Sequence, residues 1–281
     1  MEEAVPSRTA LRVALRRAAH QIVDSPLVFE DPIAVPILGK SYAEELRRTP
    51  VRPDRPFSIA LRAFMVARSR YAEDNLRRAV EAGGRQYVLL GAGLDTFAYR
   101  NPWTEVRVFE VDHPATQQWK RELLATNRIV LPENLTYVAI DFERQSLSER
   151  LAESEFDDSK PAFFTWLGVV PYLTVGAFRG TVDFIASQAA GSGVVLDYGL
   201  PRDALPLLER MALDSLASRV RMAGEPFQLF FTPDKIAAEF VAFTGVEDVG
   251  SAELNALYFG GRKDKLQMMG SAARLLSAWV D

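Results

Sequence analysis

The chain contains no cysteine. Disulfide cross-links, thiolate nucleophiles and cysteine-ligated metal or iron–sulfur sites are therefore excluded. Histidine is almost as scarce: His20 and His113 are the only two in 281 residues, so no metal centre built on histidine is expected. There is no run of eighteen apolar residues and no basic start leading into a short apolar stretch. Neither membrane insertion nor export is expected, and the sequence predicts a cytoplasmic protein. A strong charge of one sign is also missing. With 33 basic against 37 acidic residues the formal net charge is −4, which offers no electrostatic footprint for nucleic acid. Internal repeats and low-complexity tracts are absent. The 48% of hydrophobic residues can bury one large core, which suits a single α/β domain with a helical addition.

What is present is a strand that runs into a tight turn. Gln86-Tyr-Val-Leu-Leu90 is an apolar run continued by Gly91-Ala92-Gly93-Leu94-Asp95. A Gly-x-Gly turn lets backbone N–H groups approach a ligand where a Cβ would clash, at the carboxyl end of the first strand of a doubly wound sheet. A dinucleotide fingerprint would place a third Gly or Ala at Thr96, and this chain does not. Asp95 instead sets a carboxylate at the turn. It would repel a pyrophosphate but could hold the ammonium or hydroxyl groups of a phosphate-free cofactor such as S-adenosylmethionine.

Two further strand ends come at the spacing of β-α-β units. Val106-Arg-Val-Phe-Glu-Val-Asp112 ends with Glu110 and Asp112, acids suited to accepting both ribose hydroxyls, and Pro114 reads as the first turn of a helix. Leu135-Thr-Tyr-Val-Ala-Ile140 ends in Asp141-Phe142, which suits the amino edge and face of an adenine. Methionine, ribose and adenine thus have sites in that order. Each acid could equally cap the helix after it.

These motifs, together with Ala67-Arg-Ser-Arg-Tyr71, Phe109-Glu-Val-Asp-His-Pro114, Trp166-Leu-Gly-Val-Val-Pro-Tyr-Leu173 and Tyr258-Phe-Gly-Gly-Arg262, resemble the S-adenosylmethionine-dependent methyltransferases of the leucine carboxyl methyltransferase type, especially their bacterial relatives. The likeness runs from about Phe64 to the C-terminus. It implies that Arg68 pairs with the cofactor carboxylate, that Gly91 and Gly93, with Ala92 between them, line its methionine part, that Asp112 takes the ribose, and that Asp141 and Phe142 contact the adenine. Protein-carboxyl methylating members carry an Ala-Glu pair before a Gly-hydrophobic-hydrophobic run, where this chain has Trp166-Leu167 before Gly168. The missing acid favours the bacterial branch, for which the resemblance implies O-methylation of a small molecule at a carboxylate or hydroxyl. A nicotinamide-dependent oxidoreductase is disfavoured by Thr96 and by the lack of a Tyr-x-x-x-Lys pair. A catalytically silent cofactor-binding protein is the remaining alternative.

The expected fold is α/β, a Rossmann-like seven-stranded methyltransferase sheet flanked by helices. After the three strands above come Ala162–Trp166, Gly193–Tyr198, Val246–Val249 and Ala273–Val280, the last entering antiparallel. Residues 1–84 read as a helical cover broken by Pro26, Pro32, Pro36, Pro50, Pro53 and Pro56, and 85–199 as the cofactor-binding core. Residues 200–231 read as a lid inserted after strand five, and 232–281 complete the sheet. The basic cluster Arg8 to Arg17 is expected to be a solvated helix face. For chemistry, His113 is the candidate general base, Tyr172 and Tyr198 are candidates to orient a substrate, and Arg202 could meet an acidic one. No metal is expected, the oligomeric state stays open, and the partner is a small-molecule methyl acceptor.

Overall fold

The computed structural model describes residues 7–48, 56–222 and 224–281. Pro50 and Pro53, read as turns, and Ala223 within the insertion lie outside the described residues. Seven strands form one sheet in the order β3-β2-β1-β4-β5-β7-β6: β1 Gln86–Leu90, β2 Arg107–Asp112, β3 Leu135–Ala139, β4 Ala162–Trp166, β5 Gly193–Gly199, β6 Thr244–Val249 and β7 Ala273–Trp279. Pairings among β1 to β5 are parallel, while β7 runs antiparallel to both β5 and β6. The order reverses between β1 and β4, the place where open α/β sheets form a ligand crevice.

Alternation along the strands builds two cores. Val88, Leu90, Phe109, Val111, Phe164 and Leu196 face one layer containing α6 (Val175–Ala186) and α8 (Pro233–Glu239). Tyr87, Leu89, Val108, Phe163 and Val195 face the other, under α3 (Pro56–Glu81) and α9 (Ser251–Tyr258). Sheets covered on both faces give strands that read as continuous apolar runs, as β1 and β4 do.

The first helix, α1 (Arg8–Val23), is capped by Ser7, whose hydroxyl accepts from the Ala10 N–H at 3.1 Å. With α2 (Gly39–Arg48) and α4 (Pro114–Thr126) it encloses a third, smaller core around Ala18, Ile37, Leu94 and Leu124. Pro36 opens a 3₁₀ turn and Pro56 opens α3, positions where a missing N–H costs nothing. The basic run of α1 is not uniformly solvated. Arg17 is 4% exposed and engaged in ion pairs, which corrects that expectation for the residue with the deepest reach. The short α5 (Leu147–Ala152) comes after β3, and α7 (Leu207–Met222) lies in the segment after β5. Its outer face exposes Leu207, Leu208 and Met211. Among the described residues no helix is long and apolar enough to cross a membrane.

Candidate active site

The carboxyl ends of β1, β2 and β3 open into a cavity of about 310 Å³. Gly91 and Gly93, at φ +67° and +50°, hold the turn after β1 in the left-handed region that disfavours a side chain. A Cβ on Gly91 would stand 2.2 Å from Val169 Cγ2, so the close approach of this turn to the 167–169 loop depends on glycine. The chain then enters a single 3₁₀ turn, Phe97–Arg100, and not a long helix aimed at the cavity. A pyrophosphate would lack the helix end that dinucleotide sites provide.

Asp112 ends β2. Its Oδ2 accepts from the Gly93 N–H at 2.5 Å and its Oδ1 from the His113 N–H at 2.6 Å, which fixes the carboxylate against the glycine turn. Burial raises its pKa while those two N–H groups oppose the rise. Two oxygens with one bond each retain lone pairs for a vicinal diol. Asp141 and Phe142, after β3, also border the cavity. The Asp141 side chain is 35% exposed and accepts from the Glu143 N–H at 3.1 Å, so it both caps a turn and faces the opening.

The opposite end of the cavity is more heavily charged. Along α3, Arg68, Ser69, Ala72 and Glu73 present one face to it. Arg68 donates to Asp197 of β5 at 2.6 Å, and Asp197 also accepts from the Gly168 N–H. Arg17 reaches from α1 to Asp31 at 2.7 Å, Asp95 at 2.6 Å and the Thr96 hydroxyl at 2.9 Å. Arg100 closes the network on Glu73 at 2.9 Å. For Asp95, burial would raise the pKa, but Arg17, then Arg100 and Lys120, and the Phe97 N–H outweigh it and hold the group at about 2. Thr96, the residue that breaks the dinucleotide fingerprint, is 1% exposed and donates to Asp31 at 2.7 Å.

A cover crosses the cavity. Ser7, Thr9, Ala10, Val13 and Ala14 of the α1 end lie on one side, and a strap of Gly224, Glu225, Pro226 and Gln228 on the other. The Thr9 hydroxyl donates to the Glu225 carboxylate, and Gln228 Nε2 donates to the Tyr172 carbonyl at 2.6 Å.

The structure thus brings Arg68, Gly91, Ala92, Gly93, Asp95, Asp112, His113, Asp141, Phe142 and Tyr172 to one cavity. Three expectations are corrected. Glu110 shares the face of Asp112 but lies one strand repeat deeper, where Lys120 of α4 pairs with it at 2.7 Å; it is 1% exposed and does not line the cavity. Burial pushes its pKa up to about 6 despite Lys120. Tyr198 points to the other face of β5 from Asp197, is 1% exposed, and donates to Asp248 at 2.9 Å. It is a packing residue, out of reach of the cavity. Arg202 pairs with Asp214 at 2.9 Å on the exposed surface and is not a cavity residue.

His113 is the N-cap of α4, and its Nδ1 accepts from the Ala115 N–H at 3.3 Å. In the neutral ring that assignment places the proton on Nε2, which then donates and cannot accept. The geometry therefore opposes the base role. Tyr172 has its pKa pushed up to about 12 by burial, with Thr9 opposing and Glu225 adding to the rise, so its phenol is a donor at neutral pH. Asp197, Arg17, Asp31, Glu73 and Arg100 belong to the site although their place in the chain does not single them out. Only Asp197 carries a usable signal, an acid in the middle of an otherwise apolar strand.

The donors and glycines fit an adenosylated amino acid: a guanidinium at one end, a cradle that a Cβ would fill, a carboxylate for a diol and an aromatic face at the other end. Comparison with known proteins agrees. Residues 10–186 match the family model described as leucine carboxyl methyltransferase. The chain is 33% identical over 288 residues to a Bacillus subtilis protein named "Putative S-adenosyl-L-methionine-dependent methyltransferase YktD", covering 92% of this chain and 93% of that one. A Mycobacterium tuberculosis protein, "Putative S-adenosyl-L-methionine-dependent methyltransferase Rv0281", is 35% identical over 206 residues, or 69% of this chain and 66% of that protein. In fold, the crystal structure of a "putative methyltransferase" from Thermobifida fusca superposes with a TM-score of 0.56 at 18% identity, over 96% of this chain and 94% of that one. Neither the nicotinamide reading nor the silent one finds support in these relatives. With its glycine turn, acids and Arg68 on one crevice, and matched over most of its length, the chain belongs to the leucine carboxyl methyltransferase family.

Proposed function

We propose that the protein methylates an oxygen of a small molecule, a carboxylate or a hydroxyl. S-adenosylmethionine is the methyl donor. The observation that carries the reading is the convergence of Arg68, the Gly91–Gly93 turn, Asp112 and Asp141–Phe142 on one cavity that also has a separate apolar cover. In this reading Arg68 binds the donor's carboxylate with the nitrogens not used by Asp197, and Asp95 faces its ammonium. Asp112 takes the ribose hydroxyls, and Asp141 with Phe142 meets the adenine. When bound, the donor supplies a methyl group on a positively charged sulfur, which an acceptor oxygen takes up in line, leaving a neutral thioether.

The protein's part is then positioning and exclusion of water, which can supply much of the rate. Residues 200–231 act as the lid, of which the strap 224–228 is the portion that borders the cavity. Tyr172 donates its phenolic hydrogen to the acceptor and orients it. An acceptor already ionised at neutral pH needs no base, and the cap geometry of His113 favours such an acceptor.

Transfer of labelled methyl from S-adenosylmethionine to a panel of matched carboxylates, phenols, amines and thiols tests this. Products carrying O-methyl groups support the reading; transfer confined to nitrogen or sulfur contradicts it.

A further inference from the structure

Arg16 is a cation that the site leaves without a counterion among the described residues. It lies on α1 in the row Thr9, Val13, Arg16, of which the first two border the cavity. Its side chain is half-buried, and Nη1 donates to the Arg12 carbonyl at 2.9 Å. Among the described residues no carboxylate forms an ion pair with it. The charges bearing on it have its own sign: Arg219 near the end of α7, Arg12 one turn back, and Arg68 at the cavity wall. Burial and then these three lower its pKa to about 10.

The acids nearby are already engaged. Asp31 and Asp95 hold Arg17, Asp197 holds Arg68, and Glu225 of the strap receives the Thr9 hydroxyl. A half-buried guanidinium among like charges is unfavourable unless an anion meets it. Its planar fork suits a carboxylate or a phosphate.

We propose that Arg16, flanked by Arg12 and Arg219, anchors an anionic group of the methyl acceptor. The inference rests on the cavity being the transfer site. Arg16 stands outside the wall formed by Thr9 and Val13, so the anion it holds is a remote handle and not the oxygen that is methylated. Val13, Leu173 and Pro226, on the wall and cover beside it, accommodate an apolar body between the handle and the reacting end. The enzyme thereby selects amphiphilic acids over their neutral analogues.

Two fluorescent probes test this: 8-anilinonaphthalene-1-sulfonate and its uncharged parent N-phenyl-1-naphthylamine, titrated into protein saturated with S-adenosylhomocysteine. The sulfonate is expected to bind about tenfold tighter, the scale of one charge-assisted hydrogen bond. Arg16→Ala should abolish that preference, Arg16→Lys should restore part of it, and S-adenosylhomocysteine affinity should stay within about twofold throughout. Equal affinity of the two probes, a preference that survives Arg16→Ala, or a loss of S-adenosylhomocysteine binding in Arg16→Ala would overturn the proposal. Failure of the unmodified protein to bind S-adenosylhomocysteine would instead overturn the methyltransferase reading. Displacement of the sulfonate by decanoate or by decyl phosphate, but not by decanol, supports the proposal and identifies the anion; displacement by decanol as well counts against it.

Discussion

The two ends of the crevice are built differently. At the end proposed for the methionine part, Arg17, Asp31, Asp95, Arg100, Glu73, Arg68 and Asp197 form ion pairs largely withdrawn from water; the Arg17 and Asp31 side chains are 5% and 0% exposed. At the adenine end Asp141 is 35% exposed beside Arg144 at 3.6 Å, and Phe142 is half-buried. The first end is fixed by charges that hold one another in place before any ligand arrives. The second has little to keep it rigid, so its order depends more on what binds there. Preorganised groups cost little to align, and the donor's reacting end is where alignment matters most.

The sharpest break in this contrast is Arg17→Met. Removing the guanidinium leaves Asp31 and Asp95 buried without their partner, a loss of about 3–5 kcal/mol in unfolding free energy by denaturant titration. No comparable loss is expected from Arg144→Met at the other end. Next is Asp112→Ala, which removes the acceptor of the Gly93 and His113 N–H groups and the proposed ribose ligand. S-adenosylhomocysteine affinity should fall about a hundredfold by calorimetry.

Gly91→Ala places a Cβ 2.2 Å from Val169 at a φ of +67°. It should cost about 1–3 kcal/mol in stability and weaken cofactor binding together with it. The pH dependence is milder. Asp95 is held at about 2 in the folded protein, below its ordinary 3.8, so its contribution is present above the unfolded value and is lost as pH falls from about 4 towards 2. Acid titration of Asp95→Asn should show a flatter decline across that window. The smallest effect belongs to Asp141→Ala, where an exposed carboxylate replaceable by water should change S-adenosylhomocysteine affinity by only about threefold.

The sequence disclosed the framework because the strands announce themselves. Gln86–Leu90 and Ala162–Trp166 are apolar on both faces, and a sheet covered on both sides requires that. In the sequence β6 shows only from Val246, although it begins at Thr244, since this edge strand is mostly exposed and has no apolar period. The crevice is legible where it depends on backbone, in Gly91 and Gly93, and where an acid ends a strand, in Asp112 and Asp141. It is illegible where parity and depth decide. Glu110 and Asp112 look equivalent in the chain, yet one strand repeat puts Glu110 under Lys120. Tyr198 and Asp197 are neighbours, yet alternation sends the acid to Arg68 and the phenol to Asp248. The Arg17 network could not be read at all, because its members come from α1, the segment after it, the glycine turn and α3, and only the folded chain brings them together.

The central claim is that one crevice at the strand ends binds the sulfur cofactor. Calorimetric titration with S-adenosylhomocysteine, with NADH as control, on the unmodified protein and on Asp112→Ala and Asp141→Ala tests it most directly. Micromolar binding of S-adenosylhomocysteine but not of NADH, strongly weakened by Asp112→Ala and hardly by Asp141→Ala, is the predicted result. Binding of NADH in preference, or S-adenosylhomocysteine affinity indifferent to Asp112→Ala, would contradict the account.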